Sequence, residues 1–297
     1  MRVNPDVNAS LLANLNLMNS SQQKLLGELS SGLRVQRPSD DPATAAALVE
    51  LKSDDAGTQQ SISNAKAMGM QMQAADSALN SVGTVLQRAL TLGVEGATGT
   101  LSDADRNALG EELKGIKDQL LQLANSSLRG VYLFAGTASS VQPYVADNTK
   151  PSGVRYDGNS STNQVEIGDG YWIDANLAGT RIFGDGTSGT FKALNDLITA
   201  VQNNTGVDAA NSQVQSAIDQ VSVARVQYGN AMNQLSTSQS IMDDRHIQLQ
   251  QQVENLSAAD MTKTASDLVS VETSRTALLD VIAKSNRVSL FDYLSNS

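Results

Sequence analysis

The hydrophobic positions in the last third of the chain alternate at spacings of four and three residues. This heptad pattern predicts one continuous helix of about 43 residues, roughly 65 Å long at a rise of 1.5 Å per residue. A single apolar seam on such a helix requires a partner, because the helix cannot bury it alone. The predicted seam consists of Val214, Ile218, Val221, Arg225, Tyr228, Met232, Leu235, Gln239, Met242, His246, Leu249, Val253 and Leu256.

The same spacing recurs in other segments and predicts a helix in each of them. The N-terminal seam is Leu11, Leu15, Met18, Gln22, Leu25 and Leu29, and the C-terminal seam is Met261, Thr264, Leu268, Val271, Arg275, Leu278 and Ile282. The internal seams are Met68, Met72, Ala75, Leu79, Val82, Leu86 and Ala89, and then Leu109, Leu113, Ile116, Leu120 and Leu123. Because the chain begins and ends in helix, we expect the two terminal helices to pack side by side.

A glycine and two prolines mark the boundary between the first two predicted helices. Gly32 ends the first helix, and a proline-containing loop follows it. Either Asp40 or Asp41 can cap the second helix, with Pro42 in the first turn, where a missing N–H group costs nothing. A second helix is therefore predicted to start at this loop.

Two further helix starts carry the spacing of a capping box, in which a hydroxyl and an acidic side chain lie three residues apart. Ser102 with Asp105 predicts the start of the helix that carries Leu109 to Leu123. Ser257 with Asp260 predicts a break between the long helix and the last one.

After residue 127 the period changes, and Gly, Asn, Asp and Ser separate short apolar runs. Residues 131–135, 154–156, 164–167, 171–174 and 181–183 are predicted to be strands. Asp157-Gly158 and Asp169-Gly170 favour tight hairpins between them. Trp172 and several tyrosines supply the aromatic side chains that a small β core uses.

The predicted fold is mainly α with a small β insertion: an elongated antiparallel helical rod with a terminal coiled-coil pair and a short-stranded β domain. Residues 1–41 with 258–297 are predicted to form the terminal coiled-coil domain. Residues 42–130 with 190–257 form the helical rod domain, and residues 131–189 form the β insertion domain.

Composition excludes several classes of function. An aromatic share of only 4% is typical of packed helices with cores of Leu, Val, Met and Ala. A net charge of −10 argues against nucleic-acid and anionic-membrane partners. The chain has no cysteine, so disulfides and thiolate zinc sites are impossible. The N-terminus lacks the apolar run of a cleaved signal peptide, so we expect a soluble protein that is cytosolic or exported by an unusual route.

Few residues qualify as catalytic or metal-binding. The sole histidine, His246, lies on the long seam with no Cys or second His to share a metal, so a seam role is favoured. Asp54-Asp55 and Asp243-Asp244 are adjacent on helices and are interpreted as solvated surface charge. Asp169, Asp174 and Asp185 could bind calcium, but their spacing favours turn roles. The sequence predicts no enzyme activity, no cofactor and no metal.

Both ends of the chain resemble the bacterial flagellin superfamily. The resemblance rests on residues 29–35 (LSSGLRV), 37–43 (RPSDDPA), 254–257 (ENLS) and 273–279 (TSRTALL), and it continues through Ser289-Leu290. Within the superfamily, the proline loop, residues 133–137 (LFAGT) and residues 179–183 (GTRIF) are similar to the hook–filament junction proteins. The ending at residues 289–294 (SLFDYL) differs from the usual flagellin terminus.

The resemblance implies a structural axial protein of the bacterial flagellum, which is extracellular and exported through the flagellar type III apparatus without signal cleavage. It also implies a homo-oligomeric ring or helical layer, with hook-associated protein 1, flagellin and a flagellar export chaperone as partners. The assembly interface on the terminal helices would be Leu11, Leu15, Met18, Leu25, Leu29, Leu268, Val271, Leu278 and Ile282. The interdomain loop would be Arg37, Pro38, Asp40, Asp41 and Pro42.

Other classes of protein remain open at this point. A short flagellin that forms the filament itself would share both ends of the sequence. A cytosolic coiled-coil adaptor would explain the heptads but not the order of helix, β insertion and helix. An enzyme with its site in the β insertion would depend on Asp169, Asp174 and Asp185.

Overall fold

A computed structural model describes residues 5–166, 172–174 and 176–295, with side chains from residue 9 to residue 284 of those ranges. Its helices are α1 (Pro5–Ser31), α2 (Pro42–Gly96), α3 (Asp103–Ala124), α4 (Thr190–Asn203), α5 (Val207–Ser257) and α6 (Met261–Ser295). Its strands are β1 (Ser127–Leu128), β2 (Val131–Tyr132), β3 (Tyr144–Ala146), β4 (Val154–Tyr156), β5 (Gln164–Glu166) and β6 (Trp172–Asp174). A helical share of 71% confirms the mainly helical fold with a small β insertion.

The chain divides into two compact units. The first comprises Met1–Gly57 with His246–Ser297, and the second comprises Thr58–Arg245. In the first unit α1 packs on α6, so the expectation that the terminal helices lie side by side is confirmed. The division into three domains drawn from the sequence stays a prediction.

The core of the second unit is built from the predicted internal seams. All seven seam positions from Met68 to Ala89 on α2 are buried, as are Leu109, Leu113 and Ile116 on α3. On α5, the seam from Val214 to Met242 alternates between buried and half-buried positions. The heptad pattern therefore identified the core of these helices correctly, because a seam of this spacing stays on one side of a helix.

The helices are longer than the periodic segments alone indicated. Helix α5 has 51 residues and α2 has 55. Helix α2 passes through Gly57, although a glycine weakens the interior of a helix. Ser102 and Asp105 form the predicted capping box, with the Asp105 N–H donating to Ser102 Oγ and the Ser102 N–H donating to Asp105 Oδ2.

The second predicted capping box is wrong. The Ser257 hydroxyl donates back to the Val253 carbonyl, 2.6 Å away, inside the helix that it ends. Asp260 alone caps α6, because the Lys263 N–H donates to its Oδ1 at 3.0 Å. The predicted break itself is present, since α5 ends at Ser257 and α6 begins at Met261. A serine hydroxyl in the last turn of a helix can donate to the carbonyl four residues earlier. This bond competes with a capping role for the same serine at the start of the next helix.

The strands are shorter than predicted and pair differently. Strand β4 pairs antiparallel with β3, which the sequence pattern missed, and β5 pairs with β6. Asp157-Gly158 therefore makes no hairpin between β4 and β5. A side chain at Gly158 would lie 2.6 Å from the Tyr156 ring and 2.8 Å from the Ala135 carbonyl oxygen, so close packing explains this glycine. Asp169-Gly170, Ile167 and Tyr171 lie outside the described residues.

The predicted strand at residues 181–183 is also absent. A 3-10 turn, Gly179–Arg181, occupies its start, and a side chain at Gly179 would lie 2.7 Å from the Phe134 carbonyl oxygen. Ile182 and Phe183 are buried beneath this turn. Apolar runs of this length fit a buried turn as well as a strand, and tertiary packing decides between them.

An aromatic cluster supports the β insertion on the helices. It consists of Phe134, Tyr144, Phe183 and Phe191, whose neighbouring ring centroids lie 5.1–6.1 Å apart. Trp172, expected in this core, is instead 55% exposed. Two-stranded sheets of two or three residues are only marginally stable alone, so the insertion depends on this packing.

Candidate assembly surface

Helices α1 and α6, called the terminal pair from here on, carry the predicted interface residues. All of these predicted residues on both helices are half-buried. Gln22 on α1 donates from Nε2 to Glu272 Oε1 on α6 at 3.3 Å. A closed coiled-coil seam would bury its a and d positions completely. The terminal pair therefore covers its seam only in part.

The terminal pair also exposes apolar side chains away from the seam. Leu17 on α1 is 64% exposed, and Val269 on α6 is 62% exposed. Among the described side chains, the other exposed large apolar residues of the pair are Leu12, Leu26, Met261, Leu279 and Val281. Clusters of exposed apolar side chains on two packed helices are typical of a surface that binds protein.

A short backbone bridge joins the base of α1 to the start of α6. The Arg34 N–H donates to the Ser257 carbonyl at 2.7 Å, and the Ala259 N–H donates to the Gly32 carbonyl at 2.9 Å. Leu33 and Ala258 face each other in this antiparallel pairing. Gly32 has a φ of +71°, which an L side chain would disfavour. Residues 32–34 and 257–259 are called the terminal bridge below.

Arg34 connects the terminal bridge to two helix ends. Its Nη2 donates to the Leu256 carbonyl at 3.2 Å, near the C-terminus of α5. Its Nη1 lies 3.2 Å from Asp41 Oδ2, at the N-terminus of α2. A guanidinium suits both ends, because it satisfies a free carbonyl and pairs with a capping carboxylate.

Asp41 is the cap of α2 that the sequence left undecided. Its carboxylate accepts the Thr44 hydroxyl at 2.6 Å and the Thr44 N–H at 3.1 Å. These two bonds, and then the bond from Arg34, lower the pKa of Asp41 to about 2. Pro42 follows in the first helical position, as predicted.

Asp40 orders the loop rather than the helix. Its Oδ2 accepts the Arg37 N–H at 2.9 Å and the Gln36 N–H at 3.1 Å. Bonds from these two N–H groups lower the pKa of the Asp40 carboxyl. Arg37 and Pro38 are exposed on the outer side of this loop. Of the predicted loop residues, Asp40 and Asp41 thus accept hydrogen bonds that order the loop and the start of α2, whereas Arg37 and Pro38 are exposed.

The sequence missed a side-chain hydrogen bond between distant residues in the first unit. His246 Nδ1 on α5 bonds to Asp55 Oδ1 on α2, and Gln250 Nε2 lies 3.0 Å from His246 Nε2. Both partners are about one-fifth exposed, so Asp55 is not the solvated charge that was expected. The heptad position of His246 located it in the seam, but no sequence signal linked it to a residue 191 positions away.

The aspartates considered for calcium do not form a common site. Asp185 Oδ1 accepts the Thr187 N–H at 2.9 Å and the Thr187 hydroxyl at 2.7 Å, which lower its pKa to about 2. Asp174 Oδ1 accepts Gln164 Nε2 at 3.1 Å. Asp169 lies outside the described residues. Within the described ranges, no three His, Cys, Asp or Glu side chains come together in a way that could hold a metal ion.

A groove of about 470 Å³ lies between β6 and α5 in the second unit. Its lining includes Trp172, Asp174 and Arg181 together with several amide side chains of α5. The Tyr228 hydroxyl in this lining already accepts the Leu177 N–H. Among the described lining residues no side chain is paired as a nucleophile and base, which covalent catalysis would require. In the part of the chain described, no helix has the length and apolar content to cross a bilayer.

Comparison with known proteins places these features in a family. The family profile described as the bacterial flagellin N-terminal helical region matches residues 6–139. The flagellar hook-associated protein 3 of Salmonella typhimurium is 28% identical over 294 residues, covering 90% of this chain and 91% of that protein. A flagellin of Bacillus subtilis is 30% identical over 250 residues, covering 79% of this chain and 80% of the flagellin.

A solved structure shares the fold. The flagellar hook-associated protein 3 of Legionella pneumophila aligns with a TM-score of 0.63 at 14% identity, covering 69% of this chain and 98% of the other. The profile match at the N-terminal end and the sequence similarity over nine-tenths of the chain agree with this shared fold. This chain belongs to the bacterial flagellin superfamily, and it resembles hook-associated protein 3 along nine-tenths of its length.

Proposed function

We propose that this chain is a structural axial protein of the bacterial flagellum and that it joins the hook to the flagellin filament. The observation that carries the proposal is the terminal pair, whose predicted interface residues are all half-buried and whose outer faces expose apolar side chains. Such a surface gains stability only when further chains cover it. The similarity to hook-associated protein 3 over nine-tenths of the chain supports the junction in particular.

The proposed partners follow from that position. Hook-associated protein 1 would lie on the hook side and flagellin on the filament side, with copies of this chain forming a ring or helical layer between them. A layer with different neighbours above and below needs surfaces that do not repeat indefinitely. A flagellar export chaperone would cover the α6 seam before assembly, since one apolar face can serve two partners in turn.

The proposed location is outside the cell, at the hook–filament junction, after export without a cleaved signal peptide. The three-domain division is part of the same proposal. Residues 1–41 with 258–297 would line the inner wall of the junction, and the loop from Arg37 to Pro42 would set the angle to the helical rod domain. Proline fixes φ and disfavours helix in the residue before it, so this loop is stiff.

Gene deletion in the host tests the proposal. We expect cells without this gene to build hooks and to secrete flagellin into the medium without building filaments. Restoring the gene should restore the filaments. A deletion strain that carries normal filaments would refute the junction role.

A short flagellin is the second candidate, because the Bacillus subtilis flagellin is similar over four-fifths of its length. The two functions differ in self-propagation. A filament protein adds to its own kind without limit, whereas a junction protein stops after one layer. Seeding the purified protein with filament fragments distinguishes them, since long filaments of this chain alone would favour the flagellin function.

A further inference from the structure

The groove between β6 and α5 has an exposed tryptophan on one wall and a row of amide side chains on the other. Trp172, on β6, is 55% exposed. Helix α5 contributes Gln227, Asn230 and Gln234, which are also exposed. These three amides follow one another at spacings of three and four residues, so they lie on one side of the helix. The indole ring therefore shares a cavity with polar groups rather than standing alone on the surface.

The geometry of the β5–β6 sheet directs three side chains to the same side. Trp172 and Asp174 are two residues apart on β6, so they project from the same face. Gln164 on β5 pairs opposite Asp174 and lies on that face as well. Ile173, between them, projects from the other face and is buried. One face of this sheet thus presents an aromatic ring, a carboxylate and an amide, and all three line the groove.

Much of the hydrogen-bonding capacity of the groove is unused. Within the described part of the chain, the side chains of Gln227, Asn230 and Gln234 make no hydrogen bond, and neither does the guanidinium of Arg181. Asp174 accepts hydrogen bonds there through Oδ1 only. A carboxamide both donates and accepts, whereas a guanidinium only donates and a carboxylate only accepts. The groove can therefore bind a ligand that has many donors and acceptors.

We infer that this groove binds a neutral saccharide. A pyranose ring has an apolar C–H face that stacks on an indole, and its hydroxyl groups both donate and accept, as carboxamides do. The groove has a volume of about 470 Å³, which is within the range of small-molecule sites. Gln227 and Gln234 are about 10.5 Å apart along α5 at 1.5 Å per residue, a span that suits a disaccharide.

The charges of the groove favour a neutral ligand. Asp174 and Arg181 both line it and carry opposite charges, so neither an anion nor a cation is preferred there. The net charge of −10 disfavours acidic sugars further. A wholly apolar ligand would cover the amide and charged groups without giving them hydrogen bonds, which is unfavourable. A ligand that is neutral and rich in hydroxyl groups avoids both penalties.

Trp172 reports directly on binding, because it is the sole tryptophan of the chain. The full-length protein is titrated with cellobiose, maltose, lactose and N,N′-diacetylchitobiose while tryptophan fluorescence is recorded. At least one of these sugars should produce a saturable change with a Kd of about 1 mM, since the exposed lining side chains must be immobilised on binding. The absence of a saturable change with all four would overturn the inference, and tighter binding of glucuronic acid than of any of them would overturn the assignment of a neutral ligand.

Two pairs of substitutions on α5 locate the binding site. Q227A with Q234A removes two groove amides and should weaken binding about tenfold, the loss expected for two neutral hydrogen bonds. N233A with Q248A removes two exposed amides of α5 that do not line the groove, so this control should bind like the wild type. Equal affinities of the groove variant and the wild type would show that the sugar binds elsewhere. W172A should abolish the binding detected by saturation-transfer NMR.

Filament assembly separates this site from the proposed junction role. In a strain lacking the natural gene, Q227A with Q234A should restore filaments as well as the wild-type gene does. If this variant fails to assemble and the wild-type protein binds no sugar, the groove contacts another protein, and the saccharide assignment is wrong. Normal filaments in the deletion strain would refute the junction role and leave the result of the titration unchanged.

Discussion

The backbone N–H of Leu177 donates a hydrogen bond to the hydroxyl of Tyr228 across 3.0 Å. Leu177 follows strand β6, and Tyr228 is a buried seam residue of α5. Eight residues earlier on the same helix, Gln220 Nε2 donates to the Arg181 carbonyl at 2.7 Å. The long helix thus holds the β insertion through Tyr228, a buried seam residue, and through Gln220.

Replacing Tyr228 with phenylalanine should destabilise the second unit by about 1–3 kcal/mol, because the buried Leu177 N–H would lose its acceptor. Chemical denaturation followed by the fluorescence of Trp172, the sole tryptophan, measures this change next to the affected contact. Y132F is the control, since the Tyr132 hydroxyl makes no hydrogen bond in the described residues. Equal midpoints for Y228F and Y132F would contradict the role given to Tyr228.

The second unit should also become less stable in alkaline solution, because its buried tyrosines resist ionisation. Burial raises the pKa of Tyr228 to about 12, and it raises the pKa of Tyr144 as well. Because an unfolded tyrosine titrates near pH 10, this stability is complete below about pH 10 and is lost as the pH rises from 10 toward 12. We expect Y228F to lose less stability than the wild type over this range. Parallel pH curves for the two proteins would contradict the contribution of Tyr228 to this alkaline loss of stability.

Asp41 should make the first unit sensitive to acid. Its pKa is lowered from 3.8 to about 2, so its contribution is complete above about pH 4 and is lost as the pH falls toward 2. D41N keeps a capping oxygen but cannot titrate, so it should be less stable than the wild type at pH 7 and equal to it near pH 2. Circular dichroism melts at several pH values measure this convergence. A D41N stability curve that runs parallel to the wild-type curve from pH 7 to pH 2 would contradict this role of Asp41.

The α6 seam should control both the terminal pair and chaperone binding. Changing Leu278 and Ile282 to aspartate places two charges in a half-buried seam, so the terminal helices should separate while the second unit stays folded. Limited proteolysis should then remove both ends, and affinity for the export chaperone should be lost. T273D with T276D adds the same charge at exposed positions and should leave the pair intact. Unchanged chaperone affinity in the seam variant would disprove the shared-face proposal.

The helices could be predicted from the sequence because their information is local and repeated. Every seam position between Met68 and Ala89 is buried, and Gly32 ends α1 as expected. The heptad spacing repeats over many turns, so single exceptions such as Arg225 do not obscure it.

The β insertion and the contacts between distant segments could not be predicted in the same way. Strands of two or three residues carry no measurable alternation, so the pairing of β3 with β4 depends on tertiary packing. Asn125 illustrates this, since its side-chain amide bonds both the N–H and the carbonyl of Tyr144, 19 residues away. The bond from Arg34 to the Leu256 carbonyl spans 222 residues, and no local pattern specifies it.

A subunit-resolution image of isolated hook–filament junctions tests the central proposal most directly. If this chain joins hook and filament, its density should form one bounded layer, with hook-associated protein 1 on one side and flagellin on the other. The terminal pairs of adjacent copies should pack together within that layer. Density of this chain continuing along the filament, or absent from the junction, would contradict the account.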